Sequence, residues 1–133
     1  MAKNKESLLF NRIKTALKTA YLLRIETSTA KGVADVFCIY KRCSFWVELK
    51  ANDSKNLQLS GYQLNWHDTI NKHGGHSFIL VKTIGQRGLK IYSVEGRGVK
   101  FLHQYTDTAG GLVEAFQFMQ GHTLELQGHN IKT

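Results

Sequence analysis

The chain has 133 residues, of which 42% are apolar and 11% aromatic, enough for one domain with a single hydrophobic core. No run approaches the roughly 18 to 20 apolar residues of a membrane span, and the start lacks the apolar region of a signal peptide, so we expect an intracellular, cytoplasmic protein and no membrane partner. Eighteen Lys and Arg against ten Asp and Glu give a net charge of +8, which suits a phosphate-backbone binder and equally suits simple solubility.

The first predicted element is a helix over residues 5–20, which carries an apolar stripe at helical spacing. Basic residues cover much of its remainder, and Lys5 and Arg12 are candidates for contacts with nucleic acid. Glu6 lies in the first turn, in line with the buried stripe. A carboxylate there is stabilised by the positive end of the helix dipole, and the same position could aim it into a site as a metal or water ligand.

A first strand is predicted over residues 21–27, followed by a polar connection to Gly32. Arg24 on the strand and Lys31 in the connection are further candidates for nucleic-acid contacts. Hydroxyls of the connection would lie beside any site on the next strand if the two strands pair, although an ordinary polar turn explains them as well. Glu26 is a second candidate for an extra acid.

The next two predicted strands, 33–40 and 43–50, are rich in β-branched and aromatic residues and are separated by Lys41-Arg42. If the hairpin turn is centred there, Asp35 lies directly across from Glu48, and Lys50 projects from the same face. A four-residue loop with the same centre keeps this pairing. An odd-length loop or a bulge would move Glu48 to the other face.

Two carboxylates in this position repel each other unless a cation lies between them, and oxygen ligands are those that Mg²⁺ or Mn²⁺ prefers. A solvated charge is the usual explanation of a single acid near a strand end. Here, however, Glu48 and Lys50 interrupt a strand that otherwise looks buried on both faces. We therefore predict a Mg²⁺ site, with Mn²⁺ able to substitute, formed by Asp35, Glu48 and the Leu49 carbonyl with Lys50 beside it.

The same register predicts that Cys38 and Cys43 are diagonal neighbours, about 7 to 8 Å apart, which is too far for a disulfide. Two free thiols in a reducing compartment are expected. No spacing typical of a zinc site accompanies them.

A second helix is predicted to begin after Ser60, because Ser60 and Gln63 form a capping box and glycines at 74 and 75 provide a stop. We expect Trp66 to pack in the core, and His67 and His73 merit attention although no His pair has ligand spacing. Strands are predicted over 77–82, 89–94 and 99–102 and a final helix over about 107–119. The tail, 120–133, is expected to be flexible or packed on a partner subunit.

An Asp, a gap and then Glu-x-Lys on a hairpin preceded by a helix resembles the active-site motif of the PD-(D/E)xK nuclease superfamily. Here the motif reads Ala34-Asp35 and Glu48-Leu49-Lys50, with alanine replacing the customary proline, which shapes the backbone and is not a ligand. The resemblance runs from about Glu6 to Val81 and is strongest to the archaeal and phage Holliday junction resolvases and the neighbouring VRR-NUC nucleases. It implies an α/β fold with a central mixed sheet flanked by helices, in one domain, 1–133, with its core over about 5–103.

The resemblance also implies roles for single residues. It favours Glu6 over Glu26 as the extra acid, matches Ser28 to a serine that contributes to catalysis, and places Gln63 near the phosphate or the metal-bound water. Lys50 would orient or deprotonate the attacking water.

The expected activity is Mg²⁺-dependent cleavage of branched DNA by a homodimer, and the preferred substrate hypothesis is the four-way junction. A VRR-NUC-like nuclease of flap, fork or duplex DNA is the alternative, and a non-catalytic DNA-binding module is a second one, against which the intact Asp, Glu and Lys argue.

Overall fold

The computed structural model describes residues 5–26, 30–52, 57 and 59–131. Six strands form one sheet in chain order: β1 (Tyr21–Arg24), β2 (Val36–Tyr40), β3 (Cys43–Ala51), β4 (Ser77–Lys82), β5 (Gly88–Glu95) and β6 (Gly98–Thr106). Three helices accompany them: α1 (Lys5–Ala16), α2 (Gly61–Lys72) and α3 (Ala109–Ile131). Only β3 and β4 pair in parallel, because α2 connects them as a crossover, and every other neighbouring pair is antiparallel. The predicted α/β fold with a mixed, helix-flanked sheet is confirmed.

The β2–β3 hairpin has the predicted register, with Cys38 opposite Phe45 and Tyr40 opposite Cys43. Lys41 and Arg42 form the turn with φ values of 48° and 69°. Both lie in the left-handed region that a type I′ hairpin turn requires, although neither residue type favours it. The strand pairing therefore determines the turn conformation. This pairing brings Asp35, which directly precedes β2, next to Glu48 on β3.

The sheet separates two apolar layers. On one face α1 and α3 cover the larger core, which includes Leu9, Ile13, Val36, Cys38, Phe45, Val47, Leu49, Phe116 and Met119. On the other face α2 covers a smaller cluster, which includes Ile79, Val81, Val94, Leu59 and Leu64. Because side chains alternate along a strand, Val47 and Leu49 point toward α1 and α3, whereas Glu48 and Lys50 point to the side of α2.

Two helix ends differ from the sequence-based expectation. α1 ends at Ala16 rather than residue 20, since Leu17 and Ala20 still pack on the core from the turn that follows and so extend the apolar periodicity beyond the helix. α3 continues to Ile131, past the expected end at 119. At residue 120, the Gln120 side chain donates to the Lys41 carbonyl of the hairpin turn at 3.3 Å. The expected tail is helical as far as residue 131, and its packing on a partner subunit stays a prediction.

The two cysteines are buried free thiols, as predicted. Within the described ranges, no helix has the length and apolarity needed to cross a membrane.

Candidate active site

Asp35 and Glu48 form a carboxyl pair on the face of the sheet that carries α2. The Leu49 main-chain N–H donates to Asp35 Oδ2 at 2.9 Å, which fixes the Asp35 side chain against β3. The Asp35 carboxyl also lies close enough to Glu48 for its charge to act on that side chain. The hairpin register thus brings together the two acids that the sequence placed opposite each other.

The Glu48 side chain has an unusual electrostatic environment because it is buried, with only 3% of the residue exposed. The pKa of Glu48 is raised from 4.5 to about 9, mainly by burial and also by the adjoining Asp35 carboxyl. The Lys50 charge lowers this pKa, and the Glu6 charge adds a smaller increase. Without a cation, Glu48 therefore keeps a proton at neutral pH.

Gln63 connects the start of α2 to this pair. Its Nε2 donates to Glu48 Oε2 at 3.2 Å, while its Oε1 accepts from the Ser60 N–H at 2.9 Å. The Gln63 N–H in turn donates to Ser60 Oγ at 3.1 Å, which completes the predicted capping box. The capping role and the site role therefore coexist, because they use opposite ends of one amide.

His67 lies one turn further along α2 and is fully buried. Its Nε2 is 3.9 Å from Glu48 Oε1, and its Nδ1 is 2.9 Å from Ser77 Oγ. Burial lowers the pKa of His67 from 6.5 to about 4, so the ring is neutral near pH 7. The sequence singled out this histidine without giving it a role. Its spacing of four residues from Gln63, which puts both on one helix face, is the signal that points to the site.

An open cleft of about 840 Å³ gives access to the carboxyl pair. Asp35 and Glu48 line it together with Glu26, Lys31 and Tyr62. Lys31 Nζ lies 4.8 Å from the centre of the Tyr62 ring, and Tyr62 is 60% exposed. This wall of the cleft therefore presents a cation and an aromatic ring to solvent.

Gly32 anchors the loop that carries Lys31. Its φ of 84° is in the left-handed region, and a Cβ there would collide with the main-chain carbonyl of Tyr62. The loop therefore packs directly on the first turn of α2.

The donors fit a divalent cation such as Mg²⁺. Two carboxylates adjoin, and Glu48 Oε1 is a buried oxygen with no hydrogen-bond partner in the described part of the chain. Mg²⁺ needs only one or two protein carboxylates, since it keeps several waters. No group of three His, Cys, Asp or Glu side chains that could hold a metal occurs among the described residues. Glu26 lines the cleft and Glu6 acts on Glu48 through its charge, so both acids remain candidates for completing the site.

The remaining predicted residues differ in their placement. Lys50 is half-buried beside Glu48, and Ser28 lies outside the described residues. Arg24 donates to Ser7 Oγ at 3.1 Å and lies over the Phe10 ring.

Two further basic residues belong to α1. Lys5 is exposed at its start. Arg12 pairs with Asp107 at 2.8 Å and lines a separate groove between α1 and α3. Of the four predicted nucleic-acid contacts, Lys31 is the one that lines the cleft.

Comparison with solved structures finds 16 similar chains, among them the following two. The Holliday junction resolvase Hjc from the archaeal hyperthermophile Archaeoglobus fulgidus has 16% sequence identity over 66% of this chain and 72% of that chain, with a TM-score of 0.50. A VRR_NUC domain has 22% identity over 63% of this chain and 90% of that chain, with a TM-score of 0.51. The sequence matches no family model and no curated protein. At these identities the likeness establishes the fold, which is the restriction-endonuclease-like core predicted from the PD-(D/E)xK resemblance.

Proposed function

We propose that this chain, which has a restriction-endonuclease-like core, is a metal-dependent endonuclease that hydrolyses phosphodiester bonds in DNA. The observation that carries the proposal is the adjoining Asp35–Glu48 carboxyl pair at an open cleft, with Lys50 two residues further along β3. Two adjoining carboxylates are unfavourable unless a proton or a cation joins them, and the accessible cleft leaves room for a phosphate. The net charge of +8 supports a polyanionic substrate.

The proposed cation is Mg²⁺, with Mn²⁺ as a substitute, held by Asp35, Glu48 and the main-chain carbonyl of Leu49. Glu6 or Glu26 would add a carboxylate directly or through water. When bound, the cation would supply Lewis acidity to the scissile phosphate and to a nearby water.

Within this proposal the protein side chains position the reacting groups and offset negative charge. Gln63 holds Glu48 Oε2 at 3.2 Å, so one oxygen of that carboxylate has a fixed direction. Lys50 orients or deprotonates the attacking water and offsets negative charge at phosphorus. Lys31 contacts the DNA backbone at the cleft, and Lys5, Arg12 and Arg24 extend that contact. Ser28 contributes to catalysis by resemblance alone.

For the substrate we propose the four-way junction. Resolving a junction requires two symmetric incisions, so a twofold homodimer is part of the proposal. The alternative is a flap, a fork or duplex DNA. It deserves equal testing because the chain covers 90% of the VRR_NUC domain it resembles.

The test is to incubate the full chain and Mg²⁺ with labelled four-way junction, flap and linear duplex of matched sequence. We expect cleavage of the junction, and loss of cleavage with Glu48→Gln. Glu95→Gln is the matched control, because Glu95 is a surface acid that pairs with Lys100 at 3.8 Å.

Three outcomes would revise the proposal. Binding of DNA without cleavage of any substrate would favour the non-catalytic module. Equal cleavage by Glu48→Gln would refute the site. Preference for the flap would select the alternative substrate.

A further inference from the structure

We propose that His67 is a positioning residue for Glu48, so that α2 holds both oxygens of this carboxylate, one through Gln63 and the other through His67. The inference rests on the proposed metal site and adds a residue to it. Nothing in the Asp and Glu-x-Lys motif predicts this contact.

The geometry places the two donors one helical turn apart. Gln63 and His67 are four residues apart on α2 and both face β3. Gln63 Nε2 lies 3.2 Å from Glu48 Oε2, and His67 Nε2 lies 3.9 Å from Glu48 Oε1. Neither His67 Nε2 nor Glu48 Oε1 has a hydrogen-bond partner in the part of the chain that the structure describes. A small approach of the two groups would pair both atoms.

The far side of the imidazole is fixed, so Nε2 cannot turn away from Glu48. His67 Nδ1 lies 2.9 Å from Ser77 Oγ at the start of β4. Asn71 holds Ser77 in turn, since its Oδ1 accepts from the Ser77 N–H at 3.0 Å and its Nδ2 donates to the Val94 carbonyl at 3.2 Å. A chain of hydrogen bonds from β5 through β4 therefore orients the ring toward Glu48.

Packing alone does not account for a histidine in this place. A leucine of similar size would fill the space without burying an unpaired nitrogen, which is destabilising. With Nδ1 accepting from Ser77 Oγ, the neutral ring carries its proton on Nε2, and this N–H can donate to Glu48 when that side chain is ionised. Ligating carboxylates depend on such partners, and loss of one typically weakens metal binding by about 10- to 100-fold.

The experiment measures Mn²⁺ and Mg²⁺ binding to the full chain by calorimetry, without DNA. His67→Leu removes both ring nitrogens, His67→Asn keeps a polar atom only near Ser77, and His67→Gln can place an amide nitrogen near the position of Nε2. We expect about tenfold weaker binding for His67→Leu and His67→Asn, with recovery in His67→Gln. His73→Leu, at the exposed end of the same helix, should bind like the wild type.

Thermal unfolding in EDTA separates positioning from a merely structural role. A positioning residue predicts that His67→Leu unfolds at or above the wild-type temperature while it binds metal more weakly. A structural role predicts a lower unfolding temperature with unchanged metal affinity, and that result would overturn the inference. Should His67→Leu not fold, the Asn and Gln variants decide, because equal binding by the two also overturns it.

Failure of this inference is distinguishable from failure of the proposed function. If the wild type binds metal, Glu48→Gln abolishes binding and His67→Leu binds normally, only the role of His67 is wrong. If the wild type binds neither metal, or if Glu48→Gln binds as the wild type does, the proposed metal site itself is wrong.

Discussion

Replacing Glu48 with Gln is expected to stabilise the metal-free protein at neutral pH. In the folded chain the pKa of Glu48 is about 9, raised from 4.5 mainly by burial. Below pH 4.5 both the folded and the unfolded chain hold this proton, so the free energy of unfolding is unaffected. As pH rises toward 9 only the unfolded chain releases the proton, and stability falls by about 1.4 kcal/mol per pH unit. The upper limit of this loss at pH 7 is about 3 kcal/mol, which Gln avoids because it is neutral.

The assay is thermal unfolding in EDTA at pH 5 and pH 7. For a chain of this size about 3 kcal/mol corresponds to roughly 10 °C, so Glu48→Gln should unfold up to roughly 10 °C above the wild type at pH 7 and within a few degrees of it at pH 5. In a second buffer with Mg²⁺ in place of EDTA, the unfolding temperature of the wild type should rise and that of Glu48→Gln should not, because only a folded state that binds the cation is stabilised by it. Glu95→Gln should follow the wild type throughout.

Two results would refute this reasoning. One is a constant difference between Glu48→Gln and the wild type at both pH values, since titration of the buried carboxyl requires the difference to grow with pH. The other is a Glu48→Gln variant that is less stable than the wild type at pH 7, which would mean that the carboxyl pair stabilises the fold.

Three further predictions concern the cleft and the hairpin. Gly32→Ala should lower the free energy of unfolding, measured in urea, by more than about 2 kcal/mol, because the added Cβ collides with α2. Gly74 has a similar positive φ but open space around it, so Gly74→Ala should lower the free energy of unfolding by only about 1 kcal/mol. Equal losses would contradict the close contact at Gly32. The double variant Lys41→Asn, Arg42→Gly should raise the free energy of unfolding by about 1 kcal/mol at an unchanged urea m-value, because Asn and Gly suit the positive φ of the turn. A loss of stability would contradict the turn assignment. Lys31→Ala should weaken DNA binding in fluorescence anisotropy and reduce the slope of log affinity against log salt by about one, and an unchanged slope would place this lysine away from the phosphates.

The hairpin could be predicted from the sequence because the residues that determine its register lie close together in the chain. Two strands of similar pattern and a two-residue connection leave one symmetrical pairing, and that pairing places Asp35 against Glu48. The turn residues alone would have argued against it, since Lys41 and Arg42 adopt positive φ values that their side chains disfavour. The summed pairing of two strands outweighs that local strain.

Helix ends and residue roles are harder to predict from the sequence because they depend on contacts between residues that are far apart in the chain. The continuation of α3 past residue 119 depends on contacts with other elements, because Thr123 is fully buried and the Gln120 side chain donates to the Lys41 carbonyl. Neither contact leaves a pattern in the sequence. Gln63 raises a related difficulty, since the sequence alone does not show that one end of its amide caps α2 while the other contacts Glu48.

The position of β3 within the sheet has an evolutionary consequence. This strand is third of six, with hydrogen-bonded neighbours on both sides, so the spacing of the groups that it contributes is difficult to alter. The rim of the cleft, by contrast, includes exposed side chains such as Lys31 and Tyr62, which can change without altering the sheet. Under the proposed function, a lineage with this architecture can diverge in the nucleic-acid shape it accepts while the carboxyl pair stays constant, which makes the rim, and not the strand, the place to look for differences between such proteins.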